Sequence, residues 1–401
     1  MVQGLRFKRF RVKRFRFNRL IVAVVATSSF SCVGRVPRSG PADPVQISNS
    51  KVGAFEAALA LRGDGFVAAW YDNRDGNAEI YMRLLDANGN PAGPERRLTD
   101  GLEESYEPSI ETFDDGVAIA WYDKSENGVM VPKLGAWDLN GRNRWVRTLA
   151  PAGRNPVISN GAGTIFCAWI APEPDGLEWV WAGWWTQSGD GEGRIQRLAP
   201  AGKTTWNLNA AALSGGRALV TFDAQAGTRA EELFFARVDQ HAESTVARLT
   251  ADDGRPSKYP DVAVGDHLAI TWFDERDGNK EVYLITATTD RELNGEIDDR
   301  ARRITSTTGE SIGAYLEWGT EGRLGLAWSD DSEGQHEVYF QTFDASSQPL
   351  GSPHRITRNG TSSLIPAIRA SRNGFALLWN EFKPGLEAHA GTSEIAFAIV
   401  R

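Results

Sequence analysis

The chain repeats itself. AWYDNRDGNAEIY at residues 69–81 returns as TWFDERDGNKEVY at residues 271–283. Seven positions form a ladder, four of them directly ahead of an aromatic–Asp pair: Trp70, Trp121, Trp169, Thr221, Trp272, Trp328 and Trp379, spaced by 48 to 56 residues. Each closes an apolar run such as GFVAAW, TIFCAW or RLGLAW. A second ladder of RRLTDG, QRLAPAG, ARLTADDG and HRITRNG elements centres on Leu98, Leu149, Leu198, Leu249, Ile304 and Ile356. Ile47, in VQISNSKVG, adds a seventh rung before the first tryptophan. A period near fifty residues means seven copies of one supersecondary unit, none able to bury its apolar face alone.

Each unit reads as four short strands, which in the first span 55–61, 65–72, 78–86 and 95–100. The second strand is almost continuously apolar. A sheet with one wet face would alternate, so this strand is buried on both faces. Blades packed radially against one another bury their sheets in this way. No segment has the 3.6-residue period of a helical repeat. The 41 glycines and 14 tryptophans suit a turn-rich all-β chain. Asp75-Gly76, Asn127-Gly128, Asp175-Gly176 and Asp277-Gly278 mark turns between second and third strands; Asn88-Gly89 and Asn140-Gly141 mark turns between third and fourth. The phase of the ladders adds one more expectation. The chain enters on a fourth-type strand, 45–48, and leaves on a third-type strand, 393–401. The last unit therefore lacks its own outer strand, and the N-terminal segment supplies it and closes the ring. The sequence predicts an all-β fold: a seven-bladed β-propeller of four-stranded antiparallel blades, in one domain over 45–401.

The stretch DNRDGNAEIYMRLLDANGNPAGPERRLTD resembles the TolB-type β-propeller repeat in its Asp-Arg-Asp-Gly, Glu-Ile-Tyr and Arg-Leu-Thr elements. It is also similar to the repeats of sialidase-like propeller proteins. The resemblance covers 45–401 and is strongest in the first and fifth units. It implies the propeller fold. Propellers host unrelated activities, so function is argued from the residues.

Asp72, Asp75, Asn77 and Glu79 gather hard oxygens around a glycine turn, as a calcium loop does, and the spacing returns at Asp274, Asp277, Asn279 and Glu281. Turn chemistry accounts for the same residues, because Asp and Asn bond their own backbone. Recurrence favours that structural reading, so no metal or cofactor is expected, with calcium at Asp72, Asp75, Asp274 and Asp277 as the alternative. The five histidines lack a metalloprotease spacing, and no nucleophile-elbow or Cys–His signature appears. Cys167, in an apolar strand, reads as core. No catalytic residue is assigned. The enzyme alternative is sialidase-like and needs arginines converging on a carboxylate beside a tyrosine and acids; Arg74, Arg276, Tyr106, Glu107, Tyr259 and Glu310 are its candidates. Residues that break the repeat at the expected channel mouth suit ligand binding better: Phe55, Tyr106, Arg154, Trp206, Lys258, Tyr259 and Glu310. Aromatic rings beside charge fit capture of a sugar or a peptide. The run EWVWAGWWTQ, 178–187, reads either as inter-blade packing or as an aromatic patch for a polysaccharide or partner.

Eight basic residues and no acid occupy positions 1–19, and LIVAVVATSSFSC follows. A basic segment, a short apolar run and small residues make a secretory signal. The run is too short to span a bilayer. Cys32 stands where a bacterial lipoprotein signal carries its lipidated cysteine, and the segment resembles such signals. The expected organisation is a signal peptide over 1–31, a flexible tether over 32–44 and the propeller. The whole chain carries −8, so without the eight leading cations the remainder carries −16. That excludes nucleic acid as the main partner and any membrane contact except through the lipid anchor. The expectation is a monomeric module in the bacterial cell envelope, lipid-anchored in the outer membrane or periplasm or else secreted. It would bind an envelope protein or glycan without catalysis.

Overall fold

Seven antiparallel sheets of four strands stand in sequence order, each built from inner strand to outer strand. They are seen in a computed structural model that describes residues 43–113, 115–161, 163–202, 207–382 and 393–401. The expected signal peptide, Cys32, the tether up to residue 42 and Trp206 lie outside the described residues. Two short 3-10 turns, Asp290–Glu292 and Thr320–Gly322, are the only helical elements among the described residues. No described helix is long and apolar enough to cross a membrane.

In blade 1 the inner strand Ala54–Arg62 pairs with Gly65–Asp72, that strand with Glu79–Leu85, and the last with Arg96–Arg97. The outer strand is shorter than the sequence suggests. After Leu98, whose N–H still reaches the Ile80 carbonyl at 2.8 Å, the Thr99 hydroxyl accepts the Ile80 N–H at 2.8 Å in place of a backbone partner. Thr250, Thr305 and Thr357 do the same for Leu233, Val282 and Val338. This is the physical content of the recurring Arg-Leu-Thr element: a hydroxyl ends the ladder without orphaning a buried N–H.

The seven-bladed ring closes as the phase of the ladders requires. Val45–Gln46 pairs with Ser393–Val400, setting Val45 opposite Phe397 and Gln46 opposite Ala396. Ile47, fully buried, extends the pairing through a 2.7 Å bond to the Ile395 carbonyl. The Ser48 hydroxyl donates to Glu394 and accepts the Ile395 N–H at 2.8 Å. Seven apolar clusters of described residues occupy the seven gaps between neighbouring blades, including the gap between blades 7 and 1. The continuous apolar second strands feed two gaps each. Trp70, Trp169, Trp272 and Trp379 are almost completely buried there. The tryptophan-rich run obeys the same rule: Trp184 fills the gap to blade 4 and Trp185 the gap to blade 2. Cys167 is buried in the core as expected.

Candidate functional site at the channel mouth

Six of the seven inner strands slip register near their start. At the slip, Glu56 (φ 50°), Glu107 (φ 51°), Asn155 (φ 48°), Tyr259 (φ 55°) and Gly313 (φ 57°) take left-handed backbone. Four of these five are not glycine, so the conformation costs about 1–3 kcal/mol at each and is held by the surrounding sheet. A bulge of this kind re-aims a side chain, and here it turns these residues toward the axis.

They line the mouth of a central cavity of about 850 Å³ bordered by all seven inner strands. Glu56, Glu107, Asn155, Asn207 and Tyr259 form the upper level. Two residues further along each strand come Ser109, Asn209, Asp261 and Tyr315. The Ser109 hydroxyl accepts the Ile158 N–H at 3.1 Å, Asp261 accepts the Leu316 N–H at 2.9 Å, and Asn209 donates to the Pro260 carbonyl at 3.0 Å. Each of these bonds ties one blade to the next. Deeper still, Arg369 of blade 7 lies 3.7 Å from Glu111 of blade 2 and 3.6 Å from Glu317 of blade 6. This ion cluster forms the cavity floor.

Desolvation and the charge of Glu107 hold the Glu56 carboxyl well above the usual carboxylate range. Glu56 accepts no hydrogen bond and makes no ion pair through its side chain among the described residues; its backbone N–H donates to Asn380 at 3.0 Å. Burial also raises Glu107, against the Tyr122 hydroxyl, which donates to it at 3.2 Å, and the charge of Arg154. Asp261 and Glu111 are each pushed up to about 7, chiefly by desolvation. Around Glu56 and Glu107 the rings form a collar. Phe55 stacks on Tyr71 at 5.3 Å, Tyr71 meets Tyr106 edge-on at 4.9 Å, and Tyr106 lies 5.7 Å from Tyr122.

The sequence-derived site residues fall mostly on the rim. Phe55 is buried between Tyr71 and Phe382. Arg154 is buried and bidentate to Glu178 at 2.5 and 2.7 Å. Lys258 pairs with Glu231 at 3.4 Å, and Glu310 with Lys280 at 2.8 Å. Tyr259 is exposed, stacks on Phe273 at 5.5 Å and is the one of these residues that borders the cavity. Phe55, Tyr106, Arg154 and Lys258 each precede the bulge residue, so the backbone turns their successors inward instead. Sequence reasoning missed Glu56, Glu111, Asp261, Tyr315, Glu317 and Arg369. A signal was present: proline follows the bulge residue at Pro108, Pro156 and Pro260.

The repeated turn acids have a different setting. Asp72 is fully buried and accepts the Trp70 indole N–H at 3.3 Å, the Ser50 hydroxyl at 2.8 Å, and the Arg74 backbone and guanidinium at 2.9 and 2.5 Å. Asp274 repeats this with Trp272 at 3.0 Å, Ser257 at 2.8 Å, and Arg276 at 2.9 and 2.5 Å. Arg74 also reaches Glu95, and Arg276 reaches Asp298. The hydroxyls of Tyr81 and Tyr283 donate to Asp75 and Asp277. Gly76 and Gly278 supply the turn with φ of 100° and 99°. The four acids weighed as calcium ligands are therefore engaged by protein donors. Among the described residues no group of three or more His, Cys, Asp or Glu is arranged to hold a metal ion. Arg74 and Arg276 lie over the rings of Tyr81 and Tyr283, at 4.6 and 4.7 Å, and do not border the cavity; among the described residues Arg369 is the one arginine that does.

No protein-family model and no curated protein matches the chain. Solved structures do. The β-propeller domain of the Trilobed protease from Pyrococcus furiosus superposes with a TM-score of 0.52 at 10% identity, over 86% of this chain and 95% of that one. It is described as having an open velcro topology, whereas the present ring is closed by Val45–Gln46. Pyrococcus horikoshii acylaminoacyl peptidase gives 0.48 at 10% identity, over 85% of this chain and 50% of that one. A subtype N10 neuraminidase-like protein of A/little yellow-shouldered bat/Guatemala/060/2010 gives 0.45 at 7% identity, over 89% and 97%. At these identities the likeness is one of fold, and the activities of those proteins do not transfer.

Proposed function

We propose that the chain is an exported binding module whose channel mouth takes up a small ligand, or a side chain of an envelope partner, without catalysing a reaction. One observation carries the reading. The cavity of about 850 Å³ opens among side chains that break the repeat, with polar groups left for a ligand to meet. Its volume lies within the ~300–1,000 Å³ usual for small-molecule sites. The groups a sialidase-like mechanism would borrow, Arg74 and Arg276, are held in the turns by Asp72, Glu95, Asp274 and Asp298. In place of an arginine cluster the mouth carries Glu56 and Glu107, which offer an anionic sugar no counter-charge. Export, and a lipid on Cys32 holding a monomeric propeller at the bacterial envelope, belong to the same proposal.

The test is calorimetry on the purified protein against amines, neutral oligosaccharides and sialosides, alongside a fluorogenic sialoside assay. Saturable binding without turnover supports the reading. Turnover of the sialoside, abolished by Glu107→Gln, replaces it with the enzyme reading. For the anchor, incorporation of labelled palmitate that disappears in Cys32→Ser is expected; unlabelled wild-type protein removes the lipid from the proposal.

A further inference from the structure

The charges around the cavity do not balance. Five carboxyl groups border it: Glu56, Glu107, Glu111, Asp261 and Glu317. Among the described residues two cations do so, and both have partners: Arg369 lies between Glu111 and Glu317, and Lys280 holds Glu310. Among the described residues Glu56 and Asp261 have no cation within ion-pair distance and Glu56 has no side-chain hydrogen bond or ion pair, while Glu107 feels the charge of Arg154, which Glu178 holds. Glu56 is half-buried and borders the open cavity. An ionised carboxylate so placed is costly unless a counter-charge is supplied. Among the described residues no such charge is supplied to Glu56, whose carboxyl holds its proton well above the usual carboxylate range; a cation entering the cavity would supply it.

The collar says what kind of cation fits. A metal ion takes several oxygens at short range, and no such group is arranged among the described residues. Tyr71, Tyr106 and Tyr122, half-buried and not themselves bordering the cavity, instead stand next to the two glutamates: the Tyr122 hydroxyl donates to Glu107 at 3.2 Å and Tyr71 lies within the field of Glu56, and the face of a tyrosine ring attracts an organic cation. The rim already uses such contacts: the Lys124 ammonium lies 5.8 Å from the Tyr106 ring centre. Resting on the binding reading above, we infer that the ligand presents an alkylammonium group, held at the mouth between Glu56 and Glu107 against the tyrosine collar. The Arg369 floor repels a second positive charge, so the ammonium stays in the upper part of the cavity.

Calorimetry on the purified protein at pH 8 and low salt tests this with 1,4-diaminobutane, acetyl-lysine-amide (free ε-ammonium), maltotetraose and N-acetylneuraminate as probes. The two amines separate a free amine from a lysine side chain as the source. At least one amine is expected to bind saturably and to weaken as salt is added. Glu56→Gln and Glu107→Gln should each weaken it about tenfold, the scale of a lost charged hydrogen bond. Their circular dichroism and unfolding midpoints, measured alongside, show that the fold survives. Binding of maltotetraose without either amine overturns the inference and leaves the binding reading standing. Binding of no probe overturns both. Amine binding that neither glutamine variant weakens places the cation elsewhere and overturns the inference alone.

Discussion

The acids of the outer turns and the acids of the channel are the same residue types on the same seven blades, yet they stand in opposite circumstances. Asp72 and Asp274 each receive an indole, a hydroxyl, a backbone N–H and a guanidinium. Glu56 receives nothing through its side chain among the described residues, and Asp261 receives backbone N–H groups, that of Leu316 from the next blade and that of its neighbour Val262. The first group recurs from blade to blade and the second does not. A ring of similar units has to solve the same folding problem at every turn, so repeated acids are where the fold is held. A ligand approaching the axis meets all blades at once, so the residues that break the repeat are where it can be recognised.

The sharpest way to break this contrast is to remove a turn acid. Asp72→Ala leaves Arg74, the Trp70 indole and the Ser50 hydroxyl without their common acceptor. Removing one partner of a buried pair costs about 3–5 kcal/mol, and the partial exposure of Arg74 points to the lower end. Urea unfolding should register a loss of about 3 kcal/mol for Asp72→Ala and a similar loss for Asp274→Ala. A loss under about 1 kcal/mol, the scale of a single surface pair, means that the network does not hold the blade.

Glu56→Gln should act in the opposite direction. Its carboxyl is held far above its ordinary range by burial and by Glu107, so the folded state at pH 8 bears an ionisation that the unfolded state makes freely. A neutral amide removes that penalty. The urea midpoint is expected to rise at pH 8 and to change little at pH 4. A fall at pH 8 means that Glu56 has a stabilising partner and belongs with the turn acids.

How much of this contrast the sequence discloses follows from what each part depends on. The seven blades are legible because every inter-blade gap needs the same apolar residues, which leaves Trp70 and its counterparts at a regular spacing. Ring closure is legible for the same reason, through Ile47. The bulges are not legible from hydrophobicity, because a register slip changes hydrogen bonding without changing the apolar pattern. Phe55, Tyr106, Arg154 and Lys258 were therefore expected at the mouth where Glu56, Glu107, Asn155 and Tyr259 stand, one residue on. Arg74 and Arg276 looked available because nothing in a linear string shows that Glu95 and Asp298 reach back to them.

A pH titration sharpens the contrast at the middle of the channel. Asp261 and Glu111 are pushed up to about 7, so the folded state binds their protons more tightly than the unfolded chain, where carboxyls titrate near ~4. Their contribution is fully present below ~4, declines as pH rises toward about 7, and is level above. Asp261 is faced by the Leu316 N–H and by the charges of Arg369 and Glu317; Glu111 is faced by Arg369 and Glu317. The turn acids Asp274 and Asp330 are lowered and pull the other way, so the measurement is a difference between variants. Between pH 5 and pH 8, Asp261→Asn should lose less thermal stability than the wild type by a few degrees. Parallel curves would show that Asp261 is hydrated enough to titrate normally.

The smallest expected effect tests the repeat itself. The Tyr81 and Tyr283 hydroxyls donate to Asp75 and Asp277, and each ring also carries an arginine on its face. Replacement by phenylalanine keeps the ring and removes one hydrogen bond, worth about 0.5–1.5 kcal/mol, with partial exposure of the acceptors favouring the low end. Because the two sites lie in blades 1 and 5 and share no partner, the losses should match within about 0.5 kcal/mol and add in the double variant. Unequal losses would mean that the two turns, nearly identical in sequence, are held by different neighbours. Losses that fail to add would mean that strain passes around the closed ring from one blade to another, and the separation between a rigid repeated rim and an individual channel mouth would have to be given up.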